Sequence, residues 1–159
     1  PESQLDRFMI KLSMGYPDKE QEINILKARA CVNPLDMVRK VADENSILSL
    51  QTAAENVYIH DAIYDYIVRL TRATREHEYI ALGVSPRGTL ALAAMAKAYA
   101  LCEDRDYCIP TDVKNVFVDV VSHRLVLNSK ARINKITEIQ TAVEILNETA
   151  VPRLKKGKD

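Results

Sequence analysis

The sequence predicts a mainly helical protein in which a helical bundle follows one strand and one helix. Of its 159 residues, 47% are hydrophobic, which is enough to bury a sizeable core. Beyond Asn33-Pro34, apolar residues recur at every third or fourth position, the spacing of amphipathic helices. Only residues 8–14 alternate with a period of two, which indicates a strand.

The first predicted elements are this strand and the helix that follows it. One face of the strand is apolar: Phe8, Ile10, Leu12 and Met14. Pro17 ends the strand because proline lacks a backbone donor. Asp18 is then placed to cap the helix, and Gln21 stands three residues later, as in a capping box. Apolar residues recur at helical spacing along that helix: Ile23, Leu26 and Ala30.

Polar residues ahead of apolar runs predict where the later helices begin. The predicted caps are Ser46, Asp61, Thr111 and Thr137. Thr111 follows Pro110, and Gln140 stands three residues after Thr137, as in a capping box. Another helix, residues 89–102, follows the Gly83–Gly88 loop and holds six alanines that permit close packing. The residues expected to face the core are Ile47, Leu50, Ala54 and Val57; Ile63, Ile67, Leu70 and Thr74; Val113, Val116, Phe117, Val120 and Val121; and Ile139, Val143, Leu146 and Ala150.

Composition narrows the class of protein. The chain carries 22 Lys and Arg against 22 Asp and Glu, whereas a duplex-binding domain usually has a basic excess. No apolar stretch approaches the ~20 residues of a membrane span, and no secretory signal is visible. The three cysteines have spacings that fit neither a disulfide framework nor a zinc site. We therefore expect a cytoplasmic protein that binds neither nucleic acid nor a membrane.

The stretch LGVSPRGTLAL, residues 82–92, places Arg87 at the expected start of a helix. The helix dipole disfavours a cation at this end, so the guanidinium needs a partner. Pro86 is pre-organised for a first helical turn, and helix N-termini bind anions. Arg87 is therefore suited to donate two hydrogen bonds to a phosphate. The alternative is an arginine that satisfies nearby carbonyls or a surface carboxylate.

Other chemical motifs are weak or missing. The chain has no G-x-x-x-x-G-K-[ST] sequence, so it contains no phosphate cradle of the P-loop kind. Glu76-His77-Glu78 lacks the second histidine of H-E-x-x-H, because residue 81 is alanine. We therefore expect no metal site in this chain.

A longer pattern resembles the C-terminal lid of MoxR-type AAA+ ATPases. It reads YDYIVRLTRATREHEYIALGVSPRGTLALAAMAKAYALCEDRDYCIPTDVKNVFVDVVSHRLVL, residues 64–127. The opening PESQLDRFMIKLSMGYPDKEQEINIL is similar to the last part of that family's ATPase core. The resemblance implies a strand-helix remnant of the α/β core in residues 1–45, a helical lid domain in residues 46–150 and a charged tail in residues 151–159.

The resemblance also implies roles for particular residues. The arginine of SPR, Arg87, corresponds to sensor 2, which reaches the terminal phosphate of nucleotide held by its own core. The arginine of LDRF, Arg7, corresponds to an arginine finger directed at the neighbouring subunit's nucleotide; the alternative is an ion pair with Asp6. Tyr16, Pro17 and Ile25 are candidates for adenine contacts.

The intact protein implied by the resemblance is an ATP- and Mg-dependent ring ATPase, hexameric, that remodels or activates partner proteins. Its clients in the family are often proteins with von Willebrand A-type domains. Because Walker A, Walker B and sensor 1 are missing from this sequence, we expect a C-terminal piece that holds no nucleotide and is inactive alone.

Two other classes of function remain open at this stage. One is a stand-alone helical module that binds a partner through its alanine-rich face. The other is a helix-turn-helix DNA binder that uses residues 111–124, against which the neutral charge argues. The coding sequence upstream of this chain would distinguish these classes from the ATPase lid, since a P-loop there favours the ATPase.

Overall fold

Helices dominate the structure, a computed structural model that describes residues 2–31 and 33–153. This confirms the predicted, mainly helical fold class. Short 3₁₀ helices cover Pro34–Met37 and Ser122–Arg124. In chain order the other elements are α1 (Glu2–Leu5), α2 (Lys19–Cys31), α3 (Glu44–Asn56), α4 (Asp61–Glu76), β1 (Ile80–Leu82), α5 (Pro86–Cys102), α6 (Pro110–Val121), β2 (Val126–Leu127), α7 (Ser129–Ile133) and α8 (Glu138–Glu148).

Contacts along the chain define two units. One unit contains residues 2–11 together with residues 51–153, and the other consists of residues 12–50. The first unit therefore includes the LDRF segment as well as the helical bundle. The domain boundaries expected at residues 45 and 150 stay predictions, and the end of the expected tail, after residue 153, lies outside the described residues.

The core of the first unit lies among four helices. Helix α5 packs against α6 and α4, and α8 packs against the same two helices. Every inward position predicted for α4 and α6 is buried. The largest fully buried side chains are Tyr66, Phe117, Ile63, Ile67, Leu70, Leu92 and Ile145.

Small residues allow α5 to lie at the centre of this bundle. Ala91, Ala96 and Ala100 of this helix are buried. Because the separation of two packed helices depends on the side chains at their contact, alanines let α6 approach closely. The helix begins at Pro86, three residues earlier than predicted, because Ser85 acts as its cap.

Two predicted capping boxes are confirmed. The backbone N–H of Gln21 donates to the carboxylate of Asp18 over 2.8 Å, and the N–H of Asp18 donates back to the Gln21 side chain over 3.0 Å. Thr137 and Gln140 exchange the same two bonds at the start of α8. In both places the cap and its partner lie within one turn, so the local sequence was sufficient to find them.

Three other predicted caps are wrong, because their helices begin earlier than expected. Asp43 caps α3, since its carboxylate accepts from the N–H of Ser46 over 2.8 Å. The ring nitrogen Nδ1 of His60 caps α4 by accepting from the N–H of Ala62 over 3.1 Å. Helix α6 begins at Pro110. The residues wrongly taken as caps are Ser46, Asp61 and Thr111, which all lie inside their helices.

The predicted core face of α8 is also wrong. Ile139 and Val143 are exposed, whereas Ala142 and Ile145 are buried. The helix has apolar residues on both faces, and the face that carries the small Ala142 is the one packed in the core. Of the other two predicted positions, Leu146 is partly buried against the core and Ala150 is exposed beyond the end of the helix.

Four of the predicted inward positions of the earlier helices are exposed and not in a core. In α2, Ile23 and Leu26 are exposed, and in α3, Ile47 and Leu50 are exposed. Val57, which lies just beyond α3, is buried as predicted, whereas the side chain of Ala30 lies outside the description. An apolar stripe becomes a core face only where another element covers it. None of the described residues buries the four exposed side chains of α2 and α3.

The strand predicted at residues 8–14 is not formed. The N–H of Lys11 donates to the carbonyl of Asp119 over 3.0 Å, and the carbonyls of Phe8 and Met9 accept from the side chain of Arg124. A strand needs a neighbouring strand for its backbone groups, and these groups are bonded to α6 and to the 3₁₀ helix after it instead.

Substitution of Leu92 tests the position of α5. We expect Leu92→Ala to lower the free energy of unfolding by ~2–5 kcal/mol, since the side chain is fully buried. Leu90→Ala is the matched control, because Leu90 lies in the same helix but is 73% exposed, and its loss should stay within ~0.5 kcal/mol. Urea unfolding gives both values; equal losses would contradict the described orientation of α5.

Candidate functional site

The LGVSPRG segment is fixed to the end of α4 before α5 begins. The N–H of Val84 donates to Oγ1 of Thr74 over 3.0 Å, and Nε of Arg75 donates to the carbonyl of Val84 over 2.8 Å. A Cβ atom on Gly83 would lie 2.6 Å from the carbonyl oxygen of Thr74. Only glycine lets the segment pass this close to the backbone of α4, so the start of α5 has a defined position.

Ser85 is the cap of α5 and also a link to the N-terminal segment. Its Oγ accepts from the N–H of Gly88 over 3.2 Å, as an N-cap side chain does. The same hydroxyl lies 3.1 Å from both carboxylate oxygens of Asp6, to which it donates. One serine therefore satisfies a free N–H of the first turn and binds the LDRF segment.

Arg87 lies in the first turn of α5 and is exposed. No hydrogen bond or ion pair joins its side chain to any residue that the structure describes. The alternative partners considered from the sequence, a nearby carbonyl or a surface carboxylate, are therefore not observed in this part of the chain. A guanidinium without such a partner at a helix start is suited to an anionic ligand.

A second arginine, Arg124, is buried next to this helix start. Its Nη1 donates to the carbonyls of Met9 (3.1 Å) and Val120, and its Nη2 donates to those of Phe8 (2.5 Å) and Asp6 (3.3 Å). Its Nε lies 3.3 Å from Oδ1 of Asp6, an ion-pair contact without hydrogen-bond alignment. The guanidinium therefore compensates its burial with backbone carbonyls and one carboxylate.

Electrostatics around Arg124 reflect this burial. Loss of solvent lowers the pKa of its guanidinium, the charge of Asp6 opposes that shift, and the charge of Arg87 adds to it. Arginine nevertheless stays protonated. The positive charge of Arg87 thus acts on the pKa of Arg124 in the same direction as burial does.

Gly88 makes room for the Arg124 side chain. A Cβ atom at this position would lie 2.9 Å from Cδ of Arg124 and 2.5 Å from Cγ1 of Val84. The two glycines that bracket Arg87 in the sequence thus have steric roles. They allow the start of α5 to pack against α4 on one side and against Arg124 on the other.

Arg7 lies beside this network and is itself exposed. The ion pair with Asp6 that was considered as an alternative is not formed, because the Asp6 carboxylate contacts Ser85 and Arg124 instead. The guanidinium carbon of Arg7 lies 5.3 Å from the ring centroid of Phe8, a cation–π contact. Arg7 is therefore held by its neighbours along the chain while its guanidinium stays exposed.

The three candidates for adenine contacts lie in the other unit. Tyr16 and Pro17 precede α2, and Ile25 is within it. All three are exposed, Tyr16 almost completely. Their role stays a prediction.

The described residues contain no group of three or more His, Cys, Asp or Glu side chains arranged to hold a metal ion. None of their helices is long and apolar enough to cross a membrane.

Comparison with known proteins first defines the class of this domain. Residues 72–149, which include α5 and Arg124, match the family described as the AAA lid domain. A crystal structure of a protein from Cytophaga hutchinsonii, solved at 2.00 Å and provisionally described as an ATPase, superposes on this chain with a TM-score of 0.86 at 33% sequence identity. That match covers 96% of this chain and 49% of the other.

Two curated proteins are similar over nearly the whole chain. The uncharacterized protein YeaC of Bacillus subtilis is 38% identical, over 96% of this chain and 48% of its own length. The chaperone MoxR1 of Mycobacterium tuberculosis is 36% identical, over 97% of this chain and 43% of its own length. The chain thus spans less than half of each relative. It belongs to the MoxR family of AAA+ ATPases and corresponds to the C-terminal part of its members.

Arg124 is the residue of this site that sequence reasoning missed. An arginine next to a histidine near the end of a helix reads as a solvent-exposed charge. Its position nevertheless continues the buried stripe of α6, because it follows Val113, Phe117 and Val120 at helical spacing. A charged residue on a core-facing stripe is a signal of a buried, compensated group.

Substitution of Gly88 tests the contact between α5 and Arg124. Helix propensity alone predicts that Gly88→Ala stabilises the protein by ~1 kcal/mol. We expect the opposite, a loss of roughly 1–3 kcal/mol, because the new methyl group overlaps Val84 and the Arg124 side chain. Chemical unfolding of the two proteins measures the sign, and a gain in stability would contradict the described packing.

Stability should also depend on the protonation of His123. Burial lowers the pKa of this imidazole, and the charge of Arg124 adds to the shift. The unfolded chain, with its ordinary pKa of 6.5, then binds more protons than the folded chain at mildly acidic pH. The stability that the folded chain derives from a neutral His123 is therefore fully present above pH 6.5 and is lost as the pH falls below 6.5.

We expect His123→Gln to lose less stability than the wild type between about pH 7.5 and pH 5.5, because glutamine does not titrate. Urea unfolding at the two pH values gives the difference. An identical pH dependence in both proteins would show that His123 titrates in the same way in the folded and unfolded chains.

Proposed function

We propose that this chain is the lid-bearing part of an ATP-hydrolysing MoxR-type protein and that Arg87 acts in it as sensor 2. The observation that carries the proposal is the exposed Arg87 guanidinium at the start of α5, which has no partner among the described residues. Similarity to a MoxR chaperone along 97% of the chain supports the same assignment.

Arg87 fits the terminal phosphate of a nucleotide bound to its own subunit. Pro86 has no N–H and the N–H of Gly88 is bonded to Ser85, so the planar guanidinium of Arg87 is the group that favours an anion, to which it can donate two hydrogen bonds. ATP with Mg²⁺ supplies the phosphoryl group that is transferred. Because the sequence has no P-loop, Arg87 orients phosphate in this proposal but this chain does not cradle it.

Arg7 is proposed to act on the nucleotide of the neighbouring subunit as an arginine finger. Its guanidinium is exposed, and Asp6 does not neutralise it. Charge that develops on the phosphoryl oxygens during transfer is stabilised by such a group. The two arginines would then serve different nucleotides, Arg87 its own and Arg7 the neighbour's.

This division of roles requires a ring of subunits, which we propose is hexameric. Nucleotide-dependent changes in the angle of the lid would move the subunits relative to each other and remodel a client protein. A client with a von Willebrand A-type domain is part of the proposal. Tyr16, Pro17 and Ile25 are proposed to contribute to the adenine contact.

Mixed rings of the full-length protein test the two roles. Arg7→Ala subunits are mixed with subunits whose P-loop lysine is replaced. We expect some ATPase activity to return, because an intact P-loop in one subunit can meet an intact finger from the other. Arg87→Ala subunits mixed with the same P-loop variant should recover none, because both defects lie within a subunit's own site.

Each single substitution should first lower the turnover of unmixed rings. A finger contributes ~10³–10⁵ in rate in other phosphoryl-transfer systems, and we expect a smaller but clear loss here. Arg132→Ala is the control, since this arginine is exposed on α7, and it should leave turnover unchanged. Equal recovery in both mixtures would contradict the assignment of Arg7 and Arg87.

A further inference from the structure

We infer that Arg124 is a positioning residue for Arg7, holding the arginine-finger segment against the start of α5. The inference rests on the proposed function, since it assumes that Arg7 acts on a nucleotide. Its basis is the hydrogen-bond network that joins Arg124, Asp6 and Ser85.

Arg124 fixes the backbone on both sides of Arg7. Its Nη2 donates to the carbonyl of Asp6 over 3.3 Å, just before Arg7, and to the carbonyl of Phe8 over 2.5 Å, just after it. Its Nη1 reaches the next carbonyl, that of Met9, over 3.1 Å. One planar group thus determines the path of the chain through the residue that carries the proposed finger.

The same network reaches the helix start that carries Arg87. The carboxylate of Asp6 contacts Nε of Arg124 at 3.3 Å and accepts from Oγ of Ser85 over 3.1 Å. Ser85 caps α5 two residues before Arg87. The exposed Arg7 and the exposed Arg87 are therefore connected through three partly or fully buried polar residues.

Burial makes this network behave as one unit. The side chain of Arg124 is 2% exposed, and a buried charge that loses its acceptors is strongly destabilising. A movement of residues 6–9 away from Arg124 would therefore leave the guanidinium uncompensated, whereas a movement of the start of α5 must either carry Asp6 with it or break the bond from Ser85. In a ring, a change at one subunit's nucleotide would in this way reach the finger in the next subunit's site.

The geometry also demands arginine at this position. Two different nitrogens of one rigid, planar guanidinium donate hydrogen bonds to the carbonyls of Asp6, Phe8 and Met9. A lysine keeps the positive charge but offers a single nitrogen. Arg124→Lys should therefore retain the attraction to Asp6 and lose part of the constraint on the backbone.

A double-mutant cycle in the full-length ring tests whether Arg124 acts through Arg7. We expect Arg124→Met to lower kcat by roughly 10- to 100-fold, as a misplaced group can, with little change in the affinity for ATP. In an Arg7→Ala background the same substitution should lower kcat by less than about twofold, since the finger is already lost. Arg124→Lys should give an intermediate kcat.

Matched variants keep the result interpretable. Arg72→Met is the control, because Arg72 is exposed and forms an ion pair with Glu76 one turn away, outside the Arg124 network; it should leave kcat unchanged. Asp6→Asn replaces a partly exposed side chain and keeps an oxygen for Ser85, so it tests the network even if Arg124→Met fails to fold. It should give a smaller loss of kcat that also vanishes in the Arg7→Ala background.

The outcomes separate the inference from the proposed function. Losses of kcat that multiply in the Arg7→Ala background would overturn the inference alone, since Arg124 would then act independently of the finger. Unchanged kcat in folded Arg124→Met and Asp6→Asn rings would overturn it as well. A wild-type ring that does not hydrolyse ATP would instead overturn the proposed function, and the inference with it.

Discussion

The buried guanidinium of Arg124 is the constraint on which the arrangement of this lid depends. A charge removed from water costs several kcal/mol unless hydrogen bonds and an opposite charge compensate it. Here the compensation comes from a separate part of the chain, the carbonyls of Phe8 and Met9 and the carboxylate of Asp6. The N-terminal segment is therefore part of the lid's polar interior, although its residues are far from Arg124 in the sequence.

This constraint explains the composition of the LGVSPRG segment. Gly83 permits contact with the backbone of α4, Gly88 leaves space for Arg124, and Ser85 both caps α5 and binds Asp6. Of the polar side chains at the start of α5, that of Arg87 has no partner among the described residues. The packing thus fixes the helix start and leaves one cation available, which is the arrangement that phosphate recognition needs.

The sequence was a good guide where a structural feature depends on nearby residues. The box of Thr137 and Gln140 is contained in one turn, and the inward face of α6 is a single clear stripe. It was a poor guide where the partner is distant. The strand expected at residues 8–14 failed because its backbone groups bond to Asp119 and Arg124, and no local pattern distinguishes the two apolar faces of α8. The roles proposed for Arg87 and Arg7 came from the resemblance to a family, since helix geometry alone left other partners for Arg87 open.

Hydrogen exchange at the amide of Lys11 measures whether Arg124 holds the N-terminal segment in place. This N–H donates to the carbonyl of Asp119 over 3.0 Å, and it should be protected only while Arg124 holds the preceding residues. We expect protection in the wild-type chain and its loss in Arg124→Met, whereas the amide of Asn128, bonded to the carbonyl of Tyr79 over 3.0 Å, stays protected in both. A Lys11 amide that is equally protected in the variant would show that Arg124 does not hold this segment.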